Sequence, residues 1–397
     1  MPVAEFPRQR LDDIELGGIV TVRDRLLAMQ AAGKTVMRLE SGDPSFDIAP
    51  HVREAMERAL REGKTHYTPG AGIPELRAAI RDKLARDNGI KLAGPEDVLV
   101  TSGAMHGLYV TFASLLAPGE KVIVPDPSWT ETVDNIRLAG GVPVLAPLDT
   151  VSGKWSLEEV ARRIGPRTRA IAINSPHNPT GIVLDEATLR GLGELATKHG
   201  LYIVSDEAYE HVIFDGRRHV SMASLGLPTD QVVSLFSMSK SYAMSGLRMG
   251  YMAGGNKLFR ERAAKLIRCS VNGVNSVAQH GAVAALRGPQ DETTKMQAVY
   301  QKRRDVLMQG LKGARHLQAL EPQGAFYVWA RIAASWPGYK GAKDGWAMTS
   351  YLIDEAAIGS APGEVFGPAG RGHVRFAFSC ATEQVEKAAG ALARLLS

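Results

Sequence analysis

A chain of 397 residues has ample length for two domains and a large core. Its 45% hydrophobic and 22% charged residues are those of an ordinary globular protein, which excludes a disordered or fibrous chain. The 47 basic against 42 acidic side chains leave only +5, scattered in pairs such as Arg217-Arg218 and Arg303-Arg304, so neither a nucleic-acid nor a membrane surface is expected.

Cys269 and Cys380 make no disulfide framework and fall in no CxxC or Cys/His metal spacing; both are expected reduced and buried, in a cytoplasmic protein. No apolar run approaches the roughly 18 residues that span a bilayer. The opening Met1-Pro2-Val3-Ala4-Glu5-Phe6 lacks the basic-then-apolar shape of a signal peptide.

In chain order, Val20 to Met29 reads as an amphipathic helix with Val20, Val22, Leu26 and Leu27 loosely on one face. Gly33-Lys34-Thr35 and Gly63-Lys64-Thr65 imitate the end of a P-loop, but the upstream glycine that motif requires is Ala28 in one and Arg58 in the other. Ser41-Gly42-Asp43-Pro44-Ser45-Phe46-Asp47 is a turn cluster. Val52 to Arg61 is a charged helix, and Pro74 suits the start of the next one.

From Val98 the pattern changes. Short apolar runs (98–101, 121–124, 170–173, 202–204 and 231–236) alternate with longer amphipathic stretches, which predicts βαβ units, a mostly parallel sheet and helices on both its faces. Ligands in such folds sit beyond the carboxyl ends of the strands. Chemistry-bearing residues do cluster there. Ser102-Gly103-Ala104-Met105 opens a helix, whose free N–H groups are an anion site. Trp129 follows the second strand and suits stacking on a planar ring. His177-Asn178-Pro179-Thr180-Gly181 follows the third; His177 reads as support for Asp206 or for its own loop rather than as a proton carrier. Asp206 and Tyr209 follow the fourth, and a carboxylate at a buried strand end is costly unless a cation meets it. After the fifth come Ser237, Ser239, Lys240 and Arg248, with glycines at 246 and 250. Hydroxyls and a guanidinium make a phosphate cup, and the amine beside it suggests condensation with a phosphorylated aldehyde.

Beyond Gly250 the pattern is helical from about Lys257 to Arg287, long enough to bridge two domains. Glu321 to Trp329 reads as a turn and an alternating strand. His373 to Ser379 is a second alternating strand that carries Arg375 among apolar neighbours.

The run S-x-S-K-x-x-x-x-x-G-x-R-x-G around Lys240 resembles the lysine signature of the class I/II aminotransferases, fold-type-I enzymes that use pyridoxal 5′-phosphate (PLP). G-D-P-S-F at Gly42, Y-x-P-x-x-G-x-x-x-L-R at Tyr67, N-P-T-G at Asn178 and D-E-x-Y at Asp206 are similar to further segments of that family, so the resemblance covers nearly the whole chain. It implies an α/β fold with a seven-stranded-type, mostly parallel sheet in a large PLP-binding domain, 46–290. A smaller α/β domain is implied from both termini, 1–45 and 291–397.

The resemblance also implies roles. Lys240 would be catalytic. The phosphate would rest on Ser102, Gly103, Ala104, Met105, Ser237, Ser239 and Arg248, with Tyr67 of a second subunit completing the cup in a homodimer. Trp129 would stack on the pyridine ring, Asp206 hold its nitrogen protonated, and Asn178 and Tyr209 hydrogen-bond its phenolic oxygen. Gly42, Asn178 and Arg375 would bind substrate, Arg375 through the α-carboxylate. The implied reaction moves an amino group between an L-amino acid, aspartate/glutamate-like or aromatic, and a 2-oxo acid by a ping-pong mechanism, with no metal. Ser237-Met238-Ser239-Lys240 and Trp129 look most like the aspartate-aminotransferase branch, whereas Gly103-Ala104-Met105 departs from that branch's phosphate loop, so strict aspartate specificity does not follow. Arg268 falls roughly where some members place a cation for an acidic side chain. A lyase or synthase acting at Cβ or Cγ shares every cofactor residue, and a PLP-binding regulatory protein is the rival of another class. No G-x-G-x-x-G follows a strand as a dinucleotide site would need.

Overall fold

The β-branched and aromatic runs become buried strands because side chains on both of their faces find helices. In the computed structural model, which describes residues 9–14 and 17–397, these are β1 (Val98–Thr101), β2 (Lys121–Asp126), β3 (Val142–Asp149), β4 (Lys154–Trp155), β5 (Thr168–Asn174), β6 (Tyr202–Asp206), β7 (Val232–Ser237) and β8 (Gly250–Gly254). They form one sheet in the order β1-β8-β7-β6-β5-β2-β3-β4. The pairs β7–β6, β6–β5, β5–β2 and β2–β3 are parallel, whereas β8 runs against both its neighbours and β4 against β3. The eighth strand of this seven-stranded-type sheet is the two-residue β4 at its edge. Period-two alternation divides the core: Leu99, Val233 and Leu235 pack with the helices Gly103–Leu115 and Lys257–Ser270, whereas Val98, Val100 and Phe236 face the helices Pro74–Asp87 and Ser276–Arg287.

A second, antiparallel sheet has the order β11-β12-β10-β9, from β9 (Leu317–Leu320), β10 (Tyr327–Ile332), β11 (Ala361–Pro362) and β12 (His373–Ala377). The helices Asp291–Lys312, Gly345–Ala356 and Thr382–Leu395 supply the apolar side chains packed against it. The chain's beginning joins this core. Leu39 lies within it, Met37 bridges to Ile358, and Val22 and Leu26 pack against Ile353.

Several expectations need correction. The helix Gly18–Ala31 buries Val22 and Leu26, but Leu27 is 44% exposed, so the apolar face is narrower than four residues. The helical stretch from Lys257 to Arg287 is two helices, Lys257–Ser270 and Ser276–Arg287. Asn272 and Gly273 take positive φ between them (49° and 104°), and glycine accommodates such a break without steric cost. Residues 327–330 of β10 are all buried rather than alternating, because that strand is covered on both faces. Cys269 is exposed and Cys380 half-buried, so neither is the fully buried thiol expected. Among the described residues no helix is long and apolar enough to cross a membrane, and no cluster of side chains could hold a metal ion.

Candidate active site

The loops after β1, β2, β5, β6 and β7 converge with β10 and β12 on one cavity of about 360 Å³. Its wall contains Gly42, Ala104, Met105, Trp129, Asn178, Asp206, Tyr209, Ser237, Ser239, Lys240, Arg248 and Arg375, twelve of the residues singled out by sequence.

Lys240 stands on a one-turn helix, Met238–Ser241, that begins where β7 ends; the Ser237 hydroxyl caps it by accepting from the Ser239 N–H at 3.1 Å. Its amine donates to the Gly42 carbonyl at 2.7 Å and, among the described residues, meets no carboxylate. Burial lowers its pKa to about 8; Arg248 and Arg375 push the same way and Asp43 opposes them. Near neutral pH a usable fraction of this amine is therefore unprotonated, as a nucleophile or base requires.

Arg248 adopts a left-handed backbone (φ 55°), a conformation that costs a non-glycine residue about 1–2 kcal/mol. This conformation and a bond from Nη1 to the Ser245 carbonyl (2.7 Å) hold its guanidinium against the start of the helix Gly103–Leu115. Gly103 has φ 76°, and a Cβ there would lie 2.6 Å from Arg248 Nη2. Gly250 likewise lets β8 touch that helix, since its Cβ would lie 2.7 Å from the Ala104 nitrogen. Two serine hydroxyls, one guanidinium and a helix N-terminus thus surround one end of the cavity, a built anion cradle. Ser102 and Gly103 stand behind it; the Ser102 N–H donates to His106 Nδ1 at 3.2 Å.

The middle of the cavity belongs to Asp206, at the carboxyl end of β6 and 3% exposed. Burial raises its pKa to about 7, the Ala208 N–H (3.2 Å) opposes that shift, and the charge of Glu207 adds to it. Among the described residues no protein cation lies within 4 Å of it, so no side chain supplies the cation that such a carboxylate calls for. A buried carboxylate without a cation is what a protonated ring nitrogen would satisfy. Tyr209 shares a 2.8 Å hydrogen bond between hydroxyls with Tyr327, and burial raises its pKa well above the ordinary value. The Asn178 N–H donates to Asn174 Oδ1 at 2.8 Å, which sets its side chain at the cavity wall. His177 bonds to Thr180 at 2.7 Å and not to Asp206; burial takes its pKa down to about 3, so it is a neutral brace of its own loop.

Arg375 closes the other end, 3% exposed. Nη1 donates to Asn178 Oδ1 (2.9 Å) and Nη2 to the Glu40 carbonyl (2.8 Å), while buried Nε has no partner. Its guanidinium carbon lies 4.3 Å from the centre of the Tyr327 ring and 4.9 Å from that of Phe366. Among the described residues no carboxylate pairs with it. The cavity therefore holds an anion cradle, an unpaired buried acid, a depressed lysine and a desolvated fork in sequence along its wall. The donor set fits PLP at the first three and an amino-acid carboxylate at the fourth.

A family model for aminotransferase class I and II matches residues 34–392. The chain belongs to this family. It is 37% identical to a probable aspartate/prephenate aminotransferase of Thermus aquaticus and 34% identical to the aspartate aminotransferase of Geobacillus stearothermophilus, in each case over 98% of both chains. The crystal structure of the aspartate aminotransferase from Rhizobium meliloti superposes with a TM-score of 0.92 at 32% identity, covering 98% of each chain. This aminotransferase therefore has the fold-type-I architecture, in a family that uses PLP.

Two singled-out residues lie elsewhere. Tyr67 is 90% exposed on a separate concavity with His66, Asn272 and Gly273. Arg268 is at the exposed end of its helix, with Nη2 3.9 Å from Cys269 Sγ, outside the cavity. Conversely, Tyr327, Glu131, Ile19, Val20 and Arg23 line the cavity without having been singled out. Tyr327 also explains Gly42, where any Cβ would collide with the Tyr327 hydroxyl. The available signal was a tyrosine in a strand whose neighbours are all apolar, since a buried hydroxyl needs a partner.

Proposed function

We propose that this aminotransferase holds PLP between Lys240, the Ser237–Ser239–Arg248–Ala104 cradle and Asp206, and exchanges amino groups between an L-amino acid and a 2-oxo acid in two half-reactions. The observation that carries the reading is Asp206, a buried acid with no cation of its own, in line with a depressed lysine. When bound, the cofactor supplies an aldehyde for amines and a pyridinium ring that accepts electrons.

The chain's own groups do the rest. Arg375 takes the substrate α-carboxylate through its free N–H face and orients the Cα–H bond. The Lys240 amine would take up the Cα proton and hold it for return, a role its lowered pKa suits. Asp206 would hold the ring nitrogen protonated, Tyr209 and Asn178 would hold the ring's oxygen, and Trp129 would pack against the ring. We further assign residues 46–290 to the cofactor-binding domain and 1–45 with 291–397 to the smaller one. Tyr67, exposed in one subunit, is placed at the phosphate of a partner subunit in a homodimer.

The relatives' names supply one acidic donor, aspartate, and one bulky 2-oxo acid, prephenate, so a test panel contains both. Protein reconstituted with PLP should be fixed by borohydride to Lys240, as peptide mapping reads directly. With twenty amino acids and either pyruvate or 2-oxoglutarate it should form oxo acids without releasing ammonia. Label on another lysine overturns the site; ammonia release at Cβ or Cγ overturns the reaction.

A further inference from the structure

The cavity wall also includes Ile19, Val20, Met105 and Glu131 beside Trp129, and the exposed Arg23. Glu131 lies in the first turn of the helix Thr130–Leu138, where the helix dipole favours a carboxylate. Its Oε2 accepts from the Thr130 hydroxyl at 2.6 Å, and its Oε1 accepts from none of the described residues. Among the described residues no cation pairs with it. Met105 adjoins it: one amide, Asn135 Nδ2, reaches both the Met105 sulfur (3.4 Å) and the Glu131 carbonyl (2.7 Å). The acid lines the same cavity as Tyr327, whose ring centre lies 4.3 Å from the Arg375 guanidinium carbon.

The cavity's cations are otherwise engaged. Lys240 serves the amine chemistry, Arg248 the cradle and Arg375 the α-carboxylate. Arg23 is exposed and held by Asp24 at 3.1 Å. The Glu40 carboxylate is turned away, toward Arg38. A second carboxylate on the substrate would thus find an acid and apolar surface at that wall. Like charges brought together in a partly desolvated cleft repel strongly.

Resting on the aminotransferase reading above, we propose that Glu131 reads the far end of the substrate side chain. The site then takes amino acids whose side chain is uncharged, apolar along its body and tipped by an N–H or O–H donor, in preference to aspartate and glutamate. Ile19, Val20, Met105 and Trp129 receive the body, and Oε1 receives the donor.

Glutamine and glutamate test this directly, because they differ only in the group that meets Glu131. In the PLP-loaded enzyme, the half-reaction followed by cofactor absorbance should favour glutamine by about tenfold or more in kcat/KM, the scale of one charge–charge contact at a semi-exposed site. E131Q keeps an acceptor oxygen and removes the charge, so it should narrow that preference to near unity, and E131A should narrow it too. Calorimetry gives a readout without turnover. Succinate should bind E131Q more tightly than wild type, while succinamate binds both equally. An unchanged ratio in both variants, as expected if Glu131 only serves its helix terminus, overturns the proposal. So does a wild-type preference for glutamate that is lost in R23Q, which would make Arg23 the reader. Absence of any half-reaction with any amino acid overturns the aminotransferase assignment of the site and this proposal with it; a half-reaction with an unmoved ratio overturns this proposal alone.

Discussion

The two sides of the segment 206–210 treat charge in opposite ways. Asp206 and Tyr209 face the cavity, where Asp206, Lys240 and Arg375 have no oppositely charged partners among the described residues. Glu207 and Glu210, interleaved with them, face a buried network in which all four carboxylate oxygens accept hydrogen bonds. Ser205 (3.0 Å), Ser221 and His219 (2.7 Å) serve Glu207; Lys83 and Asn88 (2.7 Å) serve Glu210. Lys83, fully buried, also bonds Asn88 Oδ1 at 2.8 Å and lies over the Phe236 ring. Burial pushes Glu210 up, yet Lys83, His211 and Asn88 together bring it down to about 2. The contrast separates two uses of a buried charge. Where every charge is met from within, it secures the loop to the sheet; where charges are left unmet, a ligand is expected to meet them.

If that division is right, substitutions on the two sides should move different observables. Lys240→Ala should lower turnover by about four orders of magnitude or more while leaving the melting temperature unchanged or slightly higher, because a costly desolvated amine is gone. Kinetics and calorimetry on one preparation check both halves, and a large loss of stability would place Lys240 with the structural charges. Lys83→Met should do the reverse. It fills similar volume but strands Glu210, and removing one partner of a buried pair costs about 3–5 kcal/mol in unfolding free energy. The double variant with Glu210→Gln should recover most of that loss, measured by denaturant unfolding. Recovery of nothing would show that Lys83 acts through packing alone.

Arg375→Lys sits on the ligand side. Lysine keeps the charge but cannot reproduce a planar fork, so kcat/KM should fall by about 2–4 kcal/mol, from charge-assisted bonds of about 1.5–3 kcal/mol each. The loss should be the same for every amino donor and oxo acid, since all carry the α-carboxylate. A loss confined to one donor class would make Arg375 a reader of side chains instead.

Much of the ligand side was legible in the sequence because it is local: Ser237, Ser239, Lys240 and Arg248 occupy one strand–turn–strand segment, and strand ends announce where ligands bind. The structural side was not. Lys83 stands in Pro-Glu-Leu-Arg-Ala-Ala-Ile-Arg-Asp-Lys, which reads as a charged surface helix. Its burial depends on Glu210, 127 residues later. Tyr327 was missed because the second sheet meets the large sheet only in three dimensions, whereas Glu131, two residues past Trp129, was within reach but reads as an ordinary acid in a helix's first turn. The break at Asn272-Gly273 was readable, being a turn dipeptide that helical periodicity on either side concealed.

The smallest effect is the most diagnostic. Asp206 has its pKa raised by burial to about 7, against about 3.8 when free. Between those values the folded protein holds a proton that the unfolded chain has released. Stability from this group is therefore greatest on the acid side and is lost as pH rises through about 7. Asp206→Asn removes the titration with little change in shape. Without cofactor, the variant's lead over the wild type should grow from near nothing at about pH 4 to a few degrees at pH 8. Adding PLP should reverse the order at pH 8, because the wild-type carboxylate gains the ring's cation and the amide does not. Scanning calorimetry across this range, with and without PLP, reads both signs. A difference that stays flat with pH in the cofactor-free protein would mean that Asp206 is already neutralised from within, and the division between its two sides would fail at its central residue.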